Sequence, residues 1–219
     1  MYSSKKIVLD FDGTIFRLFT NYNLQTLVDR IYELLKDYPT AFQKNSDVFD
    51  AFFDVLQANI SKNEKIALLK QIDSWLIAAE TEALKTGIPV NGFFEFLKLA
   101  KKSGTSVSIV SNNSVDCIKN FFDLFKVQLD IPVLGRAGTH PELMKPNTFM
   151  LEEISRMLNC DKDDVIFIGD NYRDYECASN FGCHFIGMTP TASKKERLCE
   201  KVGDLTTVNN FFELSEIIF

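Results

Sequence analysis

Two aspartates stand one residue apart in the text DFDGT at 10–14, directly after a short apolar run. In an extended chain alternate side chains leave the same face, so Asp10 and Asp12 can converge on one ligand. Like charges this close raise each other's proton affinity unless a cation intervenes. The pair therefore calls for a divalent metal, or for one member that stays protonated. Gly13 lets the chain turn sharply, and bare amides in such a turn can cradle phosphate oxygens. Taken alone, the same five residues also read as a strand end closed by a turn-forming Asp-Gly.

Three more segments carry groups suited to the same chemistry. GDNYRD at 169–174 follows the apolar run VIFI. Asp170 ends that run, and Asp174 falls in the first turn of a helix, where a carboxylate suits the N-terminal dipole and serves equally as a plain cap. The strand ends of a parallel sheet share one edge, so Asp170 can join Asp10 around magnesium, a hard cation that prefers oxygen ligands. Ser111 and Asn112 close the run SVSIVS and can offer a hydroxyl and an amide to phosphate, although both are routine turn residues. Lys145, stiffened by Pro146 in LMKPNTF, can neutralise the acids or clamp phosphate; its plain reading is a solvated surface lysine.

The elements that must position these groups alternate along the chain. Strand-like runs occupy 5–10, 105–111, 132–135, 164–170 and 183–188, with helical patterns at 91–104, 115–125, 147–159 and 174–182 between them. Alternation at these lengths predicts an α/β fold, a Rossmann-like parallel sheet core with helices on both faces. Residues 15–88 break the pattern: three amphipathic helical stretches and no convincing strand. This predicts a small all-helical cap domain over the carboxyl edge of the sheet, with 1–14 and 89–219 forming the core and Gly87, Pro89 and Gly92 the return hinge. The simpler alternative is that these helices pack on one face of the sheet.

Composition narrows the partners. With 30 acidic and 24 basic residues the net charge is −6, which offers no footprint for nucleic acid or an anionic membrane. The 20 phenylalanines argue for extensive burial rather than disorder. Five cysteines without a CxxC pair read as reduced thiols in a cytoplasm, and the apolar run Ile7–Leu9 is too short for a signal peptide or a membrane span. A monomer or homodimer is expected.

In this order and at these strand ends, DFDGT, the strand ending in Ser111, Lys145 with Pro146, and GDNYRD resemble the four motifs of the haloacid dehalogenase-like hydrolase superfamily, whose members are mostly phosphatases. The resemblance covers nearly the whole chain. It implies that Asp10 attacks phosphorus, Asp12 is general acid and base, Ser111 and Lys145 hold the phosphate, and Asp170 coordinates Mg2+. It further implies that Asp174 supports the metal shell and that the Asp12 carbonyl adds a ligand, so that the metal set is Asp10, Asp12, Asp170 and Asp174. Gly13 and Asn112 would join Ser111 and Lys145 around the phosphate of a small phosphorylated metabolite, in the style of phosphoglycolate phosphatase and related sugar-phosphate phosphatases.

The chain departs from that pattern in two places. Many capped relatives carry an acid or Ser soon after DGT, whereas here the text is DGTIFRLFTNYN, and KPNT replaces the commoner KPxP. The dehalogenase branch lacks the second aspartate, so Asp12 points to phosphate rather than carbon–halogen chemistry. A phosphomutase of the same superfamily and a phosphate-accepting receiver domain are the rival readings. Arg17, Arg30 and Arg136 read as surface residues, Trp75 as cap core, His140 as a loop residue and His184 as packed within its strand.

Overall fold

A computed structural model describes residues 5–219. In chain order the first elements are β1 (Lys6–Leu9), β2 (Phe16–Arg17), α1 (Gln25–Leu35), α2 (Asp50–Gln57), α3 (Lys62–Ala83) and β3 (Ile88–Pro89). They are followed by α4 (Phe93–Ser103), β4 (Val107–Val110), α5 (Val115–Leu124), β5 (Val133–Leu134) and α6 (Phe149–Leu158). The chain ends with β6 (Val165–Gly169), α7 (Tyr172–Phe181), β7 (His184–Met188), α8 (Ala192–Val202), β8 (Thr207–Val208) and α9 (Phe211–Ile218).

Six strands form one sheet in the order β5-β4-β1-β6-β7-β8, every neighbour parallel. The chain works outward from β1 through β4 to β5, crosses back to β6 on the other side of β1, and works outward again. The reversal falls between β1 and β6, where ligands bind in open α/β sheets. Leu9 stands beside Ile168 there, so Asp10 and Asp170 leave the sheet at the same edge. The fold is the Rossmann-like α/β architecture expected of the sequence.

Alternation along the strands divides the core in two. Ile7, Leu9, Ile109, Ile166 and Ile168 pack with α4, α5 and α9, while Val8, Val110, Val165 and Phe167 face α6 and α7. Strands buried on both sides must be apolar at nearly every position, which is why β4 and β6 read as continuous runs. The phenylalanines concentrate on the first face: Phe121 of α5 lies 5.3 Å from Phe11 and 5.0 Å from Phe16, ring centre to ring centre.

The three predicted helices of 15–88 are α1, α2 and α3. They build a cluster of their own around Leu27, Ile31, Phe52, Val55, Leu69 and Leu76, which takes in Met144 from the loop before Lys145. Helix α3 is started by a capping box: the Ser61 hydroxyl accepts from the Glu64 amide and the Glu64 carboxylate accepts from the Ser61 amide.

Three expectations are corrected. The stretch 15–88 does contain a strand, because β2 pairs antiparallel with β3 and draws the two ends of the stretch together. Helix α7 begins at Tyr172, two residues earlier than read, because Asn171 caps it. His184 is exposed rather than packed, since β8 pairs only with Gly187 and Met188 and leaves the first half of β7 uncovered on that side. Beyond 188 the sequence pattern marks no individual element; α8, β8 and α9 complete the sheet and its cover.

Candidate active site

Asp10 leaves β1 almost wholly buried, at 3% exposure. Its Oδ1 accepts a bond from Lys145 Nζ at 2.6 Å and another from the Ser111 hydroxyl at 3.0 Å. Lys145 is buried, not solvated: its ammonium also donates to Asp174 Oδ1 at 2.6 Å and to the Val110 carbonyl at 3.3 Å. Burial alone would lower the Lys145 pKa, but the charges of Asp10 and Asp174 outweigh it and hold the ammonium above its usual range.

Around this pair each predicted residue has a traceable position. Asn112 receives the Lys145 amide on its Oδ1 at 2.9 Å and donates Nδ2 to the Lys145 carbonyl at 3.0 Å, so its side-chain amide fixes the lysine backbone. Asp174 is the third residue of α7; its Oδ2 accepts the amides of Asp170 and Asn171 at 3.1 and 3.3 Å and thereby aims the end of β6. Asp12 turns its Oδ1 toward the Leu18 amide at 2.9 Å. Gly13 has a φ of +87°, and a Cβ on it would lie 2.0 Å from Asp170 Oδ2, so only glycine leaves room for that carboxylate.

Oxygens of Asp10, Asp170 and Asp174 all lie within 4.8 Å of one another. Crowded, enclosed carboxylates hold protons tightly. Burial pushes Asp10 up to about 8, with Asp174 and Asp170 adding to it against the pull of Lys145. Burial pushes Asp12 up to about 7, with Asp170 adding to it and the Leu18 amide opposing. Asp170 is raised as well, by burial first, against Lys194. An acidic set of oxygen donors under this strain fits a hard divalent cation, which would restore ionisation. The Asp12 carboxylate stands outside that set of three.

The acids sit in a cavity of about 1170 Å³ bounded by both the sheet edge and the helical stretch, with Phe49, Phe53, Asn112, Tyr172 and Arg197 among its walls. Arg173, between the two motif acids, reaches across to the start of α2, bonding Asp50 and lying 3.3 Å from Asp47 Oδ2.

Three residues near this centre are not placed there by the sequence. Arg136 is buried rather than on the surface: its Nε donates to Asp73 at 2.7 Å, and its Nη1 donates to Glu80 at 2.8 Å and to the Asn112 carbonyl at 2.7 Å. Glu80 also accepts from the Ser114 hydroxyl at 2.6 Å and from Asn113 at 3.2 Å. Lys194 of α8 bonds Asp170 Oδ2. Its one local signal was a lysine in the first turn of a helix, where the dipole disfavours a cation. Arg17, Arg30 and His140 stay outside the site; Arg30 stacks over Trp75 at 3.8 Å.

The fold recurs in solved structures. A predicted phosphatase from Clostridium acetobutylicum is 17% identical, with a TM-score of 0.70 over 98% of each chain. A predicted phosphoglycolate phosphatase from Haemophilus somnus 129PT is 19% identical, with a TM-score of 0.65 over 99% of each. A hydrolase from Pseudomonas syringae is 16% identical, with a TM-score of 0.67 over 97% of this chain and 98% of that one. No curated protein matches the sequence. The family model described as haloacid dehalogenase-like hydrolase matches residues 7–188, a span that holds all four acids, Ser111 and Lys145. The chain therefore belongs to the haloacid dehalogenase-like hydrolases.

Proposed function

We propose that the protein is a magnesium-dependent phosphatase that cleaves a small phosphorylated metabolite, such as a sugar phosphate or phosphoglycolate, through an aspartyl phosphate on Asp10. The observation that carries this reading is Asp10 Oδ1, held by Lys145 at 2.6 Å and Ser111 at 3.0 Å within a cluster of three carboxylates. A nucleophile fixed in this way needs little reorganisation to reach phosphorus in line.

Asp10, Asp170 and Asp174 would hold the magnesium ion, which when bound would keep Asp10 ionised and cancel charge on the phosphoryl oxygens. The second carboxylate oxygen of Asp10 attacks phosphorus as the ester P–O bond breaks. Asp12, whose proton is held to about pH 7, gives that proton to the departing oxygen. It then takes a proton from water; the water oxygen bonds phosphorus, the acyl phosphate bond breaks, and Asp10 is regenerated with release of phosphate. Lys145 and Ser111 keep Asp10 aimed throughout and face the transferred group.

Residues 15–88 act as the cap that excludes water and selects substrate, over a core of 1–14 and 89–219, of which residues 1–4 lie outside the described residues. Five free thiols suit a reducing cytoplasm, and no helix among the described residues is long and apolar enough to cross a membrane. The reading is tested by phosphate release from a panel of phosphorylated metabolites with magnesium chloride. Asp10→Asn should fold normally and lose turnover; retained turnover rejects Asp10 as the nucleophile. Isomerised sugar phosphate without free phosphate would make the protein a mutase.

A further inference from the structure

We infer that Lys194 is a built-in counter-cation that competes with the divalent metal for Asp170 and so sets how tightly the protein binds magnesium. The inference rests on the reading of Asp10 and Asp170 as metal ligands, and it concerns a residue outside the four motifs.

The carboxylates Asp10, Asp12, Asp170 and Asp174 meet two ammonium groups. Lys145 is committed: it is buried at 2% exposure and bonds Asp10, Asp174 and the Val110 carbonyl together. Lys194 is tied differently. Among the described side chains its ammonium bonds Asp170 Oδ2 alone; it feels Asp12 and Asp10 as further negative neighbours and keeps a side chain 34% exposed. It lies against the space that Gly13 leaves open, where a Cβ would stand 2.6 Å from Lys194 Nζ and 2.0 Å from Asp170 Oδ2. The Asp170 oxygen it covers belongs to a residue whose side chain is only 8% exposed, so the pair blocks one of the few approaches to that carboxylate.

Its place in the helix argues the same way. Lys194 sits in the first turn of α8, its amide bonded to the capping Thr191 hydroxyl at 3.3 Å. A cation there opposes the helix dipole, and a neighbouring acid offsets that cost. Lys195, one residue on, is exposed and is not among the residues that line the cavity.

A tethered ammonium acts at high effective concentration, and apparent affinity for a competing ion falls by the fraction of time the carboxylate is free. A metal that takes Asp170 releases Lys194 into the cavity that it lines. The exchange keeps the acids partly neutralised in either state.

The test is calorimetric titration of magnesium chloride, without substrate, into wild type, Lys194→Gln, Lys194→Arg and Lys195→Gln at one pH and ionic strength. Lys194→Gln should bind magnesium about tenfold more tightly, a coupling within the usual span for linked sites. Lys194→Arg should stay near wild type, and Lys195→Gln, which removes the same charge nearby, should change affinity by less than about twofold because exposed charges are screened. Lys194→Met keeps the aliphatic stem and gives the same readout should the glutamine variant not fold. Unchanged or weaker binding in Lys194→Gln, or an equal gain in Lys195→Gln, overturns the inference while leaving the metal site standing. Absence of magnesium binding in wild type and Lys194→Gln alike removes the metal reading and the inference together.

Discussion

Arg136 Nη1 lies 2.8 Å from Glu80 Oε1 with both side chains fully enclosed, although one belongs to α3 and the other to the loop after β5. The pair ties the longest helix of the 15–88 stretch to the turn that carries Ser111 and Asn112. Glu80 bonds Asn113 and Ser114, and Asn113 in turn meets the Ser111 hydroxyl at 3.0 Å. The 15–88 stretch and the sheet edge thus share one buried polar network that ends on Asp10.

Removing one partner of such a pair strands a charge. Glu80→Leu and Arg136→Met should each lower unfolding free energy by about 3–5 kcal/mol, and the double change should recover much of it. Urea unfolding of the four proteins checks this. A double variant whose loss equals the sum of the singles would mean that the two side chains are not coupled.

The Asp12 carboxyl makes metal-free stability depend on pH. Its unfolded value is 3.8 and its folded value about 7, so the folded state binds the proton more tightly. Its contribution is present in full below 3.8 and is lost as pH climbs through about 7. In EDTA, Asp12→Asn should therefore gain on wild type between pH 5 and 8, by about 1–2 kcal/mol once its partial exposure is allowed for. Unfolding at the two pH values measures the gain; a constant difference would show that burial does not shift this group.

Arg173 should act as a latch rather than a support. Its pairs with Asp47 and Asp50 are half exposed, so Arg173→Ala should cost under about 1 kcal/mol in stability. Amide exchange across 47–57 should quicken several-fold as α2 loses its tie to α7. Exchange confined to wild-type rates in that segment would mean that packing around Met144 alone holds α2 in place.

Gly13 tolerates no side chain for two separate reasons: its φ of +87° and the approach of Asp170. Gly13→Ala should lower stability by about 1–3 kcal/mol, and it should weaken magnesium binding because Asp170 must move. Calorimetric titration separates the two effects; an alanine variant with wild-type metal affinity would show that Asp170 is free to shift.

The residues that meet at the strand ends were legible because each announces itself locally. Asp10, Ser111 and Asp170 close apolar runs whose burial on both faces follows from their composition, and parallel pairing then delivers run ends to one edge. Lys145 was readable by type and neighbour, though not its burial. The helices of 15–88 followed from period alone.

What tertiary structure decided was which charges meet. Arg136 reads as a surface residue because nothing near it in sequence is acidic, and its partners Asp73 and Glu80 come from another layer. Lys194 reaches Asp170 only once α8 has been laid beside α7 and β7, and His184 is bare only because β8 is short. Periodicity reports the face an element buries, since that depends on its own residues. It carries no information about the relative placement of two elements, and the energy of a charge pair depends on the distance that this placement sets.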